Sequence, residues 1–233
     1  MNQKTHRLWT GALLIATPVL FMVAFTLLQI NFEYPDILRQ PAATIMEKFV
    51  AGGSGLIANW HLMVFAASLF IPIAVMLHPY LARDDTPYMI VATTLGVTAG
   101  IVQILGFVRW PFMVPGLAST YVNPATSDAT RIAIEVTFNA FNQYAGLGVG
   151  EHLGYLFTAL WTILIALAMP KSKIFTTWQG WLGAILAVGI LLGTLEPAGM
   201  PFFGAVNAIA YSLWALWLVV VGVYLLVKGG GVK

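Results

Sequence analysis

Charged residues are scarce in this chain of 233 residues, since Asp, Glu, Lys and Arg make up 9% of it while hydrophobic residues make up 59%. A soluble globular domain carries about 25% charged residues, so the composition excludes a large soluble domain. Contact with lipid in place of water explains the missing charge. The composition therefore predicts an integral membrane protein that has the lipid bilayer as its environment.

Cysteine is absent, which excludes disulfides, thiolate metal ligands and a catalytic thiol. The net charge of +2 is small and the basic residues are dispersed, so nothing predicts a nucleic-acid partner. A nucleophile elbow, a His-Glu-x-x-His helix and a Walker motif are also missing. The sequence leaves open whether the protein is an enzyme, and it names no protein partner.

Six apolar runs, five of them without a charged residue and the fourth with Glu151 near its start, are long enough to cross the hydrocarbon core of a bilayer. The first follows a basic N-terminus, but it is too long for a signal peptide and no cleavage site closes it, so we expect it to be retained. The fold class predicted is all-α, a single domain over residues 1–233 with six transmembrane helices and two short amphipathic helices in the outer loops. The spans lie at about 8–30, 56–77, 88–108, 149–169, 178–195 and 205–227.

Lys and Arg residues in the short loops indicate the orientation, because cytoplasmic loops carry an excess of them. With the N-terminus inside, seven lie on the inner face and four on the outer face. The protein is therefore predicted to be a multi-pass protein of the cell membrane with both termini cytoplasmic. The outer residues are Arg39, Lys48, Arg109 and Arg131.

Two outer loops are long enough to fold. The first is predicted to contain a short helix that has Pro41 near its first position and Gly52-Gly53 at its end. The second, from Trp110 to Gly148, is expected to begin irregularly and then to form a helix over about Ser127–Asn142. These helices either cover the outer ends of the bundle or lie at the level of the lipid headgroups.

Ionisable side chains at membrane depth are costly, and they usually face a cavity or a partner. On the predicted topology, several of them lie at the outer ends of different helices, where packing would bring them together. This predicts an outward-facing polar pocket that binds a small ligand or a metal ion in an accessory or sensory role. The candidate ligand-binding residues are Arg109, Glu151, His152, Glu196, Tyr34 and Asn142.

Alternative interpretations of this polar cluster stay open. His61 and His152, with Glu151, have side chains that suit a metal ion. The same two histidines, on different helices, are also candidate axial ligands of haem b in an electron-transfer protein. Alternatively, Arg109 pairs with Glu151 or Glu196 in a purely structural network, and the protein is a membrane subunit with no bound ligand.

Several segments resemble, in order and spacing, a known family. They are Phe32–Arg39, Ala51–Gly53, Gly106–Trp110, Gly150–Gly154 and Ala159–Thr162. The chain resembles the bacterial integral membrane proteins catalogued as domain of unknown function 4386. The resemblance implies several membrane helices, and it implies no particular activity, substrate or cofactor.

Overall fold

A computed structural model describes residues 2–229, which contain helices and no β-strand. Six helical stretches are long and apolar enough to cross a membrane. They confirm the predicted all-α fold of a polytopic membrane protein, although the helices run further into the loops than the predicted spans do. The stretches are Gln3–Phe32, Ala42–Leu81, Met89–Val122, Asp128–Lys171, Thr177–Ala198 and Phe202–Lys228.

Within these stretches the α-helices are separated by kinks, by short 3-10 turns and by one π-helical segment. The α-helices are α1 (Gln3–Phe32), α2 (Ala42–Ser68), α3 (Phe70–Leu81), α4 (Met89–Phe112), α5 (Val114–Val122), α6 (Asp128–Phe141), α7 (Gly154–Ala168), α8 (Thr177–Leu192) and α9 (Phe202–Lys228).

The predicted helix of the first outer loop exists as the first part of α2. The chain leaves helical geometry at Gly53, where φ is 57° and ψ is −154°, a conformation open to glycine because it has no Cβ. The break falls where Gly52-Gly53 predicts it, but the helix resumes at once and leads into the second span. The apolar face of the first part is buried in the protein, not in lipid headgroups. Its buried residues include Ile45, Met46 and Phe49.

The predicted irregular start of the second outer loop is wrong. α4 continues through Pro111 to its end at Phe112, and α5 follows with Pro115 in its first turn. A proline is tolerated in a first turn because the N–H it lacks would have no partner there. The helix predicted after it is confirmed as α6, whose N-cap Ser127 accepts a hydrogen bond from the Thr130 N–H at 3.2 Å.

A π-helical segment, Asn142–Leu153, joins α6 to α7. The sequence predicts a loop over the first half of this segment, and that prediction is wrong because the segment is helical. The second half, where the sequence predicts the start of a span, lies within the stretch Asp128–Lys171. Long π-helices are rare, and shorter ones are frequent at functional sites. The segment contains Gly146 and Gly150, which let other groups approach its backbone closely, and Gly148, where a Cβ would make only ordinary contact.

The described residues divide by their internal contacts into two compact units. Unit 1 contains residues 2–19, 68–102 and 152–229, and unit 2 contains residues 20–67 and 103–151. Each unit has its own buried apolar core. A single domain for the whole chain stays a prediction.

The core of unit 1 satisfies the indole groups that it buries. Trp214 Nε1 donates to Thr162 Oγ1 at 2.9 Å, and Trp217 Nε1 donates to the Gln179 carbonyl at 2.9 Å. Gln179 also belongs to the N-terminal cap of α8, where its Oε1 accepts from the Thr176 N–H at 2.9 Å. These two indoles are thus paired in the way that an apolar core requires. Arg7 Nε, Thr17 Oγ1 and Gln179 Nε2 of the same unit are buried without a hydrogen-bond partner.

Candidate functional site

Arg109 is the buried charge of unit 2. It lies in the last turn of α4 and is 8% exposed. Its Nη1 donates to the Gly106 carbonyl, and its Nη2 donates to Asn142 Oδ1 at 2.9 Å. The guanidinium therefore links α4 to the first residue of the π-helical segment.

Glycine makes room for this guanidinium. A Cβ at Gly146 would lie 2.5 Å from Arg109 Nη2 and 3.2 Å from Asn142 Oδ1. One turn earlier on α4, a Cβ at Gly106 would lie 2.6 Å from the Cα of Gly150. Backbone therefore meets backbone between α4 and the π-helical segment, as it does where small residues pair in membrane helices.

Tyr34 and Glu151 are the ionisable neighbours of Arg109. Both interact electrostatically with the guanidinium. Burial of the Tyr34 hydroxyl raises its pKa above the usual value, and the Glu151 carboxylate raises it further, while Arg109 acts in the opposite direction. Tyr34 therefore keeps its proton and serves as a neutral hydrogen-bonding group beside the Arg109 cation.

Stacked indoles form the apolar wall beside the guanidinium. Trp60 and Trp110 are both fully buried, with ring centroids 4.6 Å apart and planes inclined by 6°. The Cζ of Arg109 lies 5.2 Å from the Trp110 ring, within cation–π range. The ring of Tyr34 meets Trp60 edge-on, with a centroid distance of 5.3 Å.

Three hydrogen-bond donors in this cluster lack an acceptor. The Nε of Arg109 and the Nε1 atoms of Trp60 and Trp110 are buried and have no hydrogen-bond partner. A buried donor without an acceptor costs about 1–3 kcal/mol. The cluster is thus chemically suited to a group that brings acceptor oxygens. We call it the Arg109 centre; its residues are Tyr34, Trp60, Arg109, Trp110, Asn142 and Glu151.

Four of the predicted ligand-binding residues meet in this centre, namely Tyr34, Arg109, Asn142 and Glu151. The other two belong to unit 1. His152 is exposed there. The Glu196 carboxylate lies against Gly204, because a Cβ at that glycine would be 2.5 Å from Glu196 Oε2.

The structure gives the histidine interpretations no geometric support. His61 is exposed and its ring meets Phe112 edge-on at a centroid distance of 5.4 Å. Across residues 2–229, no group of three or more His, Asp or Glu side chains is placed to hold a metal ion. A metal site at His61, His152 and Glu151, and haem b on the two histidines, stay predictions. Metal analysis and an absorbance spectrum of the purified protein test them.

The indoles of Trp60 and Trp110 and the π-helical segment are the parts of the centre that the sequence does not reveal. Tryptophan near a helix end is typical of the aromatic belts of membrane proteins, which is how the sequence alone presents both. The glycines at alternate positions in the π-helical segment are a usable signal. When these glycines are interpreted only as positions where helices pack closely, they do not predict a π-helix.

Comparison with known proteins gives a family and nothing finer. The sequence model of the family described as Domain of unknown function (DUF4386) matches residues 9–229. This match covers nearly the whole chain, and the chain belongs to that family, as its sequence segments predict. No curated protein and no solved structure matches it.

Proposed function

We propose that this chain, a membrane-helical member of the DUF4386 family, binds a small molecule at the Arg109 centre in an accessory or sensory role. One observation carries the proposal: the guanidinium of Arg109 is buried with an Nε that has no acceptor, beside two indole N–H groups in the same state. Such a cluster favours a ligand that brings oxygen acceptors, above all a carboxylate. The stacked indoles favour a planar apolar part attached to it.

The π-helical segment supports binding over a purely structural role. Its wider turn brings Asn142 and Gly146 to the guanidinium. A regular α-helix satisfies its backbone without this geometry, so a π-helix persists only where something offsets its poorer packing. A ligand held by the Arg109 guanidinium beside the segment would provide that compensation.

We further propose that the Arg109 centre lies on the non-cytoplasmic side, with both termini in the cytoplasm. The distribution of basic residues supports this, with seven on the inner face and four on the outer. Reporter fusions at the C-terminus and in the loop before α6 test the orientation. A C-terminal reporter that is active only outside the cell would overturn it.

Thermal unfolding of the purified full chain in detergent tests binding. We expect benzoate, a carboxylate on a planar ring, to raise the unfolding temperature of the wild type. Benzylamine, which has the same ring and a cation, should not raise it, because the centre contains donors and a positive charge. Arg109→Gln should abolish the benzoate effect.

Gly146→Ala separates the position of the guanidinium from its charge. Its Cβ would lie 2.5 Å from Arg109 Nη2 and so must displace it, while every charged group remains. We expect the benzoate affinity to fall about tenfold, the scale of one lost charge-assisted hydrogen bond. Gly148→Ala is the matched control, because its Cβ would lie 3.5 Å from the nearest atom, the Gln143 carbonyl oxygen.

Two outcomes contradict the proposal. Benzoate could stabilise wild type and Arg109→Gln equally, which would place its site elsewhere. In the second outcome, neither benzoate nor succinate stabilises the wild type, and Arg109→Gln and Asn142→Ala only lower the unfolding temperature. That second result would identify the centre as a structural link in a membrane subunit that binds no such ligand.

A further inference from the structure

An open groove in unit 2 lies apart from the groups that form the Arg109 centre. It has a volume of about 550 Å³, within the range of small-molecule sites. The C-terminal part of α1 and the residues on both sides of the Gly53 break in α2 form its walls. The side chains that matter for binding are Leu27, Asn31, Lys48, Leu56 and Asn59.

The inner end of the groove has a hydrogen-bond acceptor without a donor. Asn59 is 8% exposed, and its Nδ2 donates to the Ala24 carbonyl at 3.3 Å. This bond fixes the amide orientation, because only the NH₂ end of the side chain can donate to a carbonyl. The Oδ1 of Asn59 is left buried with no partner. A ligand that reaches it must bring a donor such as a hydroxyl.

The mouth of the groove has a cation that an exposed anion neutralises. The Nζ of Lys48 is ion-paired with the Glu33 carboxylate, and the side chains are 31% and 65% exposed, respectively. An ion pair whose carboxylate is mostly exposed contributes little to stability, and the carboxylate exchanges readily. Another anion can therefore replace Glu33 on Lys48 without opening the fold. Asn31, also exposed, adds a second polar group at the mouth.

The wall between these ends is apolar and open. Leu27 is 39% exposed on α1, within a span that crosses the membrane. A Cβ at Gly55 would meet no atom within 4 Å, so the groove continues over that glycine. The lining of the groove thus combines the Lys48 cation at its mouth, an apolar wall and the buried Asn59 oxygen at its inner end.

We propose that this groove binds the polyol-phosphate headgroup of an anionic membrane lipid. The phosphate replaces the Glu33 carboxylate on Lys48, and a headgroup hydroxyl donates to Asn59 Oδ1. A lipid is favoured over a soluble polyol phosphate because the groove is formed by two membrane-spanning helices and has the exposed Leu27 in its wall. Basic pockets between membrane helices bind lipid headgroups by the same chemistry. The inference does not depend on ligand binding at the Arg109 centre.

Native mass spectrometry of the full chain in detergent, after delipidation and addition of defined lipids, tests the proposal. We expect the wild type to retain phosphatidylglycerol in preference to phosphatidylcholine, which lacks headgroup hydroxyls. Lys48→Gln should lower retention about tenfold, the scale of one lost charge-assisted hydrogen bond. Asn59→Leu should lower it about two- to tenfold, the scale of one lost neutral hydrogen bond. Glu33→Gln should raise retention, because it releases Lys48 from its competing anion.

Two further variants separate binding from folding. Gly55→Leu fills the open space over that glycine, leaves every polar group in place and should also lower retention. Arg39→Gln is the matched control, because it removes an exposed cation of unit 2 that pairs with Asp36 at 3.2 Å and does not line the groove. Retention in Arg39→Gln should equal that of the wild type.

Three results would overturn the proposal. One is equal retention of phosphatidylglycerol by the wild type, Lys48→Gln, Asn59→Leu and Gly55→Leu. Another is a decrease in Glu33→Gln, which would mean that Glu33 holds the ligand and does not compete with it. The third is binding of sn-glycerol 3-phosphate alone as strongly as the lipid, which would assign the groove to a soluble ligand.

Discussion

Adding one methyl group at Gly106 tests the contact on which the Arg109 centre is built. A Cβ there would lie 2.6 Å from the Cα of Gly150 and 3.4 Å from the Ala145 carbonyl oxygen. Ordinary van der Waals contact begins at 3.4 Å, so α4 and the π-helical segment must separate locally by almost an ångström. Because the obstructing atom belongs to the backbone, no side-chain rotation relieves the clash. Overpacking of this kind costs about 1–3 kcal/mol.

The matched control is Gly116→Ala in α5. Its Cβ would meet no atom within 4 Å, so replacement should stabilise the helix by roughly 0.8–1.0 kcal/mol through helix propensity alone. The same propensity gain applies at Gly106, where the clash offsets it. We therefore expect Gly106→Ala to be less stable than Gly116→Ala by about 1–3 kcal/mol.

Reversible unfolding in mixed micelles, followed by circular dichroism, measures this difference as a free energy of unfolding. Benzoate binding by Gly106→Ala should weaken as well, since the Gly106 carbonyl accepts from Arg109 Nη1 and must move with the helix. Equal stability of the two alanine variants would refute the close approach of the two backbones. It would also remove the basis for placing Asn142 and Arg109 in one site.

Two further predictions concern the pH dependence of unit 2 and the start of α8. Tyr34 has a pKa raised by burial. Above the usual tyrosine pKa of about 10 the unfolded state loses this proton while the folded state keeps it, so the free energy of unfolding falls as pH rises. Tyr34→Phe should reduce that decrease when unfolding is measured at increasing alkaline pH. An unchanged slope would contradict the burial of Tyr34. Thr176→Ala removes the hydroxyl from the capping box with Gln179 and should lower the free energy of unfolding by about 0.5–2 kcal/mol. Thr98→Ala, at a half-buried threonine within α4 whose hydroxyl donates only to the carbonyl of Thr94 in the same helix, should leave it nearly unchanged. Equal effects of the two threonine variants would argue against the cap.

The predictable part of the fold follows from composition and local chemistry. Absent charge and long apolar runs predict six membrane helices, and the structure has six that qualify. The start of a helix at about Ser127 and the break at Gly52-Gly53 are predicted from local signals, and the structure has both. Pro111 misleads because proline ends a helix in isolation, whereas near the end of α4 the surrounding helix tolerates it.

The predictable part of the site is smaller, because pairings between helices leave no trace in local spacing. The prediction that ionisable side chains at the outer ends of the helices come together includes Arg109 and Glu151. It also includes Glu196, which belongs to the other unit. Nothing in the sequence distinguishes these glutamates. Trp60 and Trp110 are separated by some fifty residues, so only folding reveals that they stack. Likewise, the groove depends on the orientation of Asn59, which its bond to Ala24 determines.

The clustering of unpaired donors is the strongest argument that the Arg109 centre binds something. Unit 1 pairs the indoles of Trp214 and Trp217 inside its own core, so the fold is capable of satisfying buried tryptophan. Both units bury unpaired polar atoms, those of unit 1 on Arg7, Thr17 and Gln179, but unit 2 brings three donors without acceptors together in the Arg109 centre and buries one acceptor without a donor at Asn59. At about 1–3 kcal/mol for each such atom, the total is comparable with the net stability of a whole domain, about 5–15 kcal/mol.

A chain selected for stability alone would replace these side chains with apolar ones. Trp60→Phe and Trp110→Phe make that replacement, because each keeps an aromatic ring and removes an unpaired N–H group. If both phenylalanine variants were more stable than the wild type and lost benzoate binding, the ligand would explain the unpaired donors. If both were less stable and bound benzoate as before, the N–H groups would have partners within the fold. The proposed site would then lose its basis.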